Sequence, residues 1–178
     1  EPFWAAIRDA VVELPRQPRG TVDGEINPLV IESTRSVRVA ARLAMPDCTP
    51  RGVVVTTHGY AGVEDGFPSL PEAWTEAGMA TLRLRVRGYP PSSSETGDLR
   101  DRWITRGLED TTAWIVPGAV ADVMRGYLAA RAIFGPSMPI GLHGESLGGG
   151  LAVIAAAQLE RLGDPPHRVA LGLSLIHI

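Results

Sequence analysis

The sequence predicts an α/β fold built on a mostly parallel, doubly wound sheet. Three observations predict it. From Val53 onward, short apolar or β-branched runs alternate with segments of helical periodicity, the order that right-handed strand–helix–strand crossovers produce. Val53-Val54-Val55 is a continuous β-branched run, as expected of a strand covered on both faces. Val120, Val123, Met124, Tyr127 and Leu128 recur at i, i+3, i+4, i+7 and i+8, which marks an amphipathic helix.

The elements follow in order. Residues 3–12 have helical spacing, and Pro15 and Pro18 end the helix. Val37, Val39, Ala41 and Leu43 alternate with Arg38, Ala40 and Arg42, predicting a half-buried antiparallel strand between Asn27-Pro28 and Met45-Pro46-Asp47. After the valine run, residues 57–62 form a glycine-containing loop at a strand's carboxyl end. Residues 70–77 are expected to be helical and closed by Gly78; residues 79–86 form another strand, followed by Arg87-Gly88-Tyr89-Pro90. Residues 90–118 read as a long loop carrying Trp103 and Trp114, and loops of that length usually shape a site or an interface. A short strand at 139–143 leads into a helix at 147–162, with Leu151, Ile154, Ala155 and Leu159 on one face, and 167–173 reads as the next strand.

With 178 residues, 44% of them hydrophobic, the chain can bury one sizeable core, so a single domain is expected. A net charge of −3 argues against a nucleic-acid surface, and no apolar window is long enough to span a membrane. Cys48 is alone, which rules out an internal disulfide. The histidines are scattered without His-x-x-x-His or Cys-x-x-Cys spacing, so no metal site is expected. All 17 basic residues are arginine; with 20 glycines and 15 prolines, this points to a GC-rich coding sequence more than to a function. No signal-peptide pattern is visible, so a cytoplasmic location is expected. Residues 173–178, Leu-Ser-Leu-Ile-His-Ile, resemble one reading frame of a sequencing-library adaptor. The expectation is therefore that residues 1–172 are the N-terminal part of a single domain whose sheet is incomplete at the C-terminus.

The chemistry is concentrated in Gly144-Glu145-Ser146-Leu147-Gly148, set between the strand at 139–143 and the helix that follows. Gly-x-Ser-x-Gly in that context is the nucleophile elbow of the α/β-hydrolase fold. The turn is tight enough to require small residues at Gly144 and Gly148. It lifts the Ser146 hydroxyl clear of the sheet and aims the new helix's free N–H groups at a nascent oxyanion. Ser146 is the candidate nucleophile, and the backbone N–H of Leu147 is one oxyanion donor. The second donor is expected from the loop after the valine strand, at the N–H of Tyr60, because sites in open α/β sheets form at strand carboxyl ends. In this fold the acid and base follow the nucleophile in sequence. His167 lies at the wrong edge of the sheet, His177 is in the suspect tail, His143 reads as a packed core histidine, and Asp164 reads as loop punctuation. His58 is accounted for by a fixed turn before Gly59. No triad acid or base is expected within this chain. The alternation of Arg83, Arg85 and Arg87 suggests an anion site, but for Arg83 and Arg85 a charged strand face ending in a loop is the preferred reading.

Several segments together resemble the acetyl xylan esterase and cephalosporin-C deacetylase family of carbohydrate esterases. They are Phe3-Trp4, the strand leading to Thr57-His58-Gly59-Tyr60, Arg87-Gly88, and Gly107-Leu108-Glu109-Asp110 before the elbow. Tyr89 stands where the family has Gln, Arg85 where related hydrolases often have Asp, and the elbow departs from the family's usual Gly-Gly-Ser-Gln-Gly. Leu147 in place of Gln leaves the backbone donor intact, whereas Glu145 puts a carboxylate beside the nucleophile that disfavours acidic substrates. The resemblance implies a cofactor-free serine esterase hydrolysing small acyl esters, chiefly acetyl groups on sugars or similar alcohols, and a homo-oligomer when full length. A peptidase or lactone hydrolase of the same fold is the alternative substrate class. For the 178 residues taken alone, an inactive fragment is the expectation.

Overall fold

A computed structural model describes residues 2–61, 72–93, 100–110 and 113–172. Helix α1 (Pro2–Glu13) precedes β1 (Ile26–Glu32) and β2 (Arg38–Ala44), a strand pair that runs antiparallel in register from Ile26↔Ala44 to Glu32↔Arg38. Then come β3 (Gly52–Thr57), α2 (Glu72–Glu76), β4 (Met79–Arg85), α3 (Ile115–Phe134), β5 (Ile140–Glu145), α4 (Leu147–Arg161) and β6 (Arg168–Gly172). The sheet order is β1-β2-β4-β3-β5-β6. Strands β4, β3, β5 and β6 are mutually parallel, and β2 joins them antiparallel along β4.

The alternation of side chains divides the sheet into two faces. Register places Val53 and Val55 beside Ala80 and Leu82 on one side and Ile140 and Leu142 on the other, all buried. This face carries α3, which comes so close that a Cβ on Gly126 would lie 2.3 Å from Leu84 Cδ1. The buried apolar face of α3 (Ala119, Val120, Val123, Met124, Tyr127) packs there, with α4 and α1 beside it. The opposite face is more polar. Thr56, His143 and Arg83 share one register row; His143 Nδ1 bonds Thr56 Oγ1 at 2.8 Å and its ring meets Trp74 of α2 edge-on. Burial lowers the basicity of His143, while nearby Glu145 pulls the other way.

Three features differ from the sequence reading. Strand β1 was not anticipated, because Asn27-Pro28 reads as punctuation; yet Pro28 sits at a sheet edge, where its missing N–H costs no ladder bond. Within 90–118, a 3₁₀ segment forms at Arg100–Thr105 and α3 begins at Ile115, with Pro117 in its first turn, where a proline is tolerated. The Arg85 side chain, read as part of a charged strand face, is buried and its Nε donates to the Pro90 carbonyl; Arg87, in the loop that follows, is buried as well and paired with Asp122. The start of the expected helix at 70–71 and the tail at 173–178 lie outside the described residues. Strand β6 is the last of the sheet among the described residues, and every residue of it is exposed.

Candidate active site

The centre of the site is Ser146, at φ 48° and ψ −115°, between the end of β5 and the first residue of α4. A non-glycine residue there is strained by its own Cβ and is held only where its surroundings leave no alternative. Those surroundings are backbone. A Cβ on Gly144 would lie 2.2 Å from the Gly148 carbonyl, and one on Gly148 would lie 2.6 Å from the carbonyl oxygens of both Thr57 and His58. The Ser146 N–H donates to the Gly172 carbonyl of β6 at 2.8 Å, and Gly150 N–H closes back on the Ser146 carbonyl at 3.2 Å. The Ser146 side chain makes no capping bond to α4, so its hydroxyl is not consumed by the helix it precedes. Leu147 opens α4, and N–H groups of a first helical turn have no partners within the helix.

The β3 end-loop lies against this turn. A Cβ on Gly59 would sit 3.5 Å from Ser146 Cβ and 3.4 Å from the Glu145 carbonyl oxygen. His58 is buried, with Nδ1 2.8 Å from the Gly59 carbonyl oxygen. A carbonyl only accepts, so Nδ1 carries the proton. Nε2 is then bare, and it has no hydrogen-bond partner among the described residues. Burial is the main cause of a pKa lowered to about 4, against which the Gly59 bond works weakly; His58 is a neutral imidazole at pH 7. Tyr60 has an exposed side chain, while its carbonyl accepts from the Tyr89 hydroxyl at 2.7 Å. Glu145, at the end of β5, is exposed beside Ser146.

The remaining candidates lie elsewhere. His143 is two residues before Glu145 on the α2 face of the sheet. His167 precedes β6 and donates its N–H to Ile140, at the opposite end of β5 from Ser146. Asp164 is more than loop punctuation: its carboxylate accepts from Tyr127 Oη and Arg131 Nη2, each at 2.9 Å, and ties α3 to the chain after α4. Among the described residues no group of three His, Cys, Asp or Glu side chains could hold a metal ion, and no helix is long and apolar enough to cross a membrane.

The sequence reading missed the support beneath the site. Asp122 is fully buried and receives Arg87 N–H at 2.8 Å, Arg87 Nε at 3.0 Å, Arg87 Nη2 at 2.8 Å and the Ser33 hydroxyl at 2.5 Å. The Trp103 indole N–H donates to the Arg87 carbonyl at 2.8 Å. This fixes the loop that presents Tyr89. The available signal was one acid, Asp122, inside the otherwise apolar run Ala119–Met124, since a buried helix carries a lone carboxylate only when a cation meets it.

A strained serine between glycines at the carboxyl end of a parallel strand, facing the end-loop of the adjacent strand, defines an α/β-hydrolase. Within that class the chain belongs to the acetyl xylan esterase (AXE1) family, whose model matches residues 8–164. It superposes with a TM-score of 0.74 on acetyl xylan esterase 1 from Thermoanaerobacterium sp. JW/SL YS485, at 21% identity over 94% of this chain and 56% of that one. An acetyl xylan esterase from Paenibacillus sp. R4 gives 0.73, at 24% identity over 99% and 60%. A monoacylglycerol lipase of Mycolicibacterium smegmatis is 28% identical over 138 residues, 72% of this chain and 44% of that protein. An uncharacterized 31.7 kDa protein of Escherichia coli is 32% identical over 111 residues, 62% of this chain and 34% of that protein. The chain thus spans between about a third and three fifths of the length of these relatives.

Proposed function

We propose that this chain carries the nucleophile and the oxyanion hole of a serine esterase acting on small acyl esters, chiefly acetyl esters of sugars or similar alcohols. The observation that carries the reading is Ser146 at φ 48°, locked by backbone contacts at Gly144 and Gly148 with its hydroxyl free of the helix. Ser146 Oγ attacks the acyl carbon, and the tetrahedral oxyanion is received by the N–H groups of Leu147 and Tyr60. Collapse expels the alcohol and leaves an acyl-enzyme, which water hydrolyses to free the carboxylic acid and the serine. The base that takes the Ser146 proton and the acid that orients it come from residues other than those described: His58 is turned to Gly59, His143 to Thr56, and His167 sits at the far end of β5. The exposed Glu145 carboxylate disfavours anionic substrates. Family membership supports the ester class, and the acetyl preference follows from the family rather than from a pocket in this chain.

The test is a substrate panel (acetyl, longer acyl, lactone and peptide) on the complete gene product and its Ser146→Ala variant. Acetyl esters should turn over fastest, and Ser146→Ala should lower kcat by at least about 10³-fold, the scale on which triad members act. Turnover that survives in Ser146→Ala would remove this reading.

A further inference from the structure

Tyr89 combines features that packing alone does not require. The residue is 3% exposed, its ring meets His58 edge-on at 4.4 Å and lies tilted to that of Trp103 at 5.5 Å, and the Arg85 guanidinium lies 5.7 Å from its centre. From that enclosed position its hydroxyl reaches out of the β4 end-loop to a single backbone atom of another loop, the Tyr60 carbonyl oxygen at 2.7 Å.

The consequence lies in the geometry of two consecutive peptide units. In a trans peptide the C=O and N–H point in opposite directions. The Gly59–Tyr60 unit is held at its carbonyl by His58 Nδ1, so the Tyr60 N–H points away from His58. The Tyr60–Ala61 unit is held at its carbonyl by Tyr89. Between them the two bonds fix both backbone torsions of Tyr60, which has an exposed side chain and so little packing to fix them otherwise. Without the second bond, the Gly59–Tyr60 unit is held at one point only, the His58 contact, and can swing about it and carry the Tyr60 N–H off its line to the oxyanion. The Tyr89 loop itself cannot follow such a motion. It is braced by the buried Arg87–Asp122 pair, by Trp103 on the Arg87 carbonyl, and by Ser92, whose hydroxyl receives the Ala40 N–H at 2.8 Å.

We propose that the Tyr89 hydroxyl is a positioning residue for ester hydrolysis, pinning the Tyr60 carbonyl so that the Tyr60 N–H is preorganised as the second oxyanion donor. This rests on the assignment of Ser146 as nucleophile and of Tyr60 N–H as donor. Tyr89 touches no reacting atom; it acts through Tyr60. Burial also keeps the phenol protonated far above neutrality, so the bond persists across the working pH range.

The experiment compares wild type, Tyr89→Phe, Tyr127→Phe and Ser146→Ala in the complete gene product, reading kcat and KM on one acetyl ester together with melting temperature. Tyr127→Phe is the matched control. It too deletes a buried tyrosyl hydroxyl, one bonded to Asp164, which lies on the chain leading to His167 at the opposite end of β5 from Ser146. A donor aimed at the transition state raises kcat without tightening ground-state binding. Tyr89→Phe is therefore expected to lower kcat about 5- to 30-fold at nearly unchanged KM, less than loss of a whole oxyanion donor. Tyr127→Phe is expected to lower the melting temperature with kcat within about twofold of wild type. The proposal is overturned if Tyr89→Phe keeps wild-type kcat, if its loss lies in KM, or if Tyr127→Phe loses kcat equally. If Ser146→Ala is inactive in those cases, the esterase reading stands and this inference alone fails. If turnover does not depend on Ser146, both fall together.

Discussion

Replacing Asp122 by Asn changes one atom at a fully buried charge, and the expected cost can be worked from its four bonds. Asp122 and Arg87 have side chains 0% and 2% exposed. The carboxylate accepts the Arg87 N–H, Nε and Nη2 and the Ser33 hydroxyl, so both oxygens face donors. An asparagine must turn its own NH₂ toward one of those pairs, losing at least one acceptor and opposing donor to donor. It also leaves the guanidinium without a counter-charge, in a space so tight that a Cβ on Gly118 would lie 2.3 Å from Arg87 Nη1. Removing one partner of a buried pair costs about 3–5 kcal/mol, mostly because a charge is stranded. Against a typical stability of about 5–15 kcal/mol, that is a large fraction. The assay is urea denaturation of the complete gene product at pH 7. Arg87→Met should cost a similar amount, since it strands the carboxylate instead. The double variant removes both charges, so its loss should fall short of the sum of the singles by about 2 kcal/mol or more. If Asp122→Asn stays within about 1 kcal/mol of wild type, or if the single losses simply add, a stranded charge is not what holds this loop.

Two further outcomes follow from the site. Gly148→Ala drives a Cβ into two backbone carbonyls of the β3 end-loop, so kcat should fall about 10-fold or more; Gly150→Ala, with nothing within 4 Å among the described residues, should gain about 0.5–1 kcal/mol by helix propensity alone. Equal effects of the two on kcat would show that the contact is not what matters. The buried His58, with its pKa lowered to about 4, contributes stability that is complete above about pH 6.5, declines as the unfolded chain takes up the proton, and is gone near pH 4. At about 1.4 kcal/mol per unit, wild type should lose roughly 2 kcal/mol more than His58→Asn between pH 6.5 and pH 5 by urea denaturation. Parallel losses in both proteins would mean that His58 is not the group responsible.

Part of this architecture is written in local pattern. The alternation from Val53 onward specified the parallel core of the sheet, because strand and helix periods are set by backbone geometry. Gly144, Ser146 and Gly148 marked the elbow, because only glycine allows backbones to pass so closely. The rest arises from long-range contact. Pro28 became part of a strand because an edge tolerates a missing N–H, and Arg85 and Arg87 went inside because the Pro90 carbonyl and Asp122 were there to receive them. Asp122 and Arg87 are 35 residues apart, and Tyr89 and Tyr60 are 29 apart. Nothing in the local sequence around either partner encodes the other, since a hydrogen bond or ion pair across such a separation exists only after the sheet has brought its ends together.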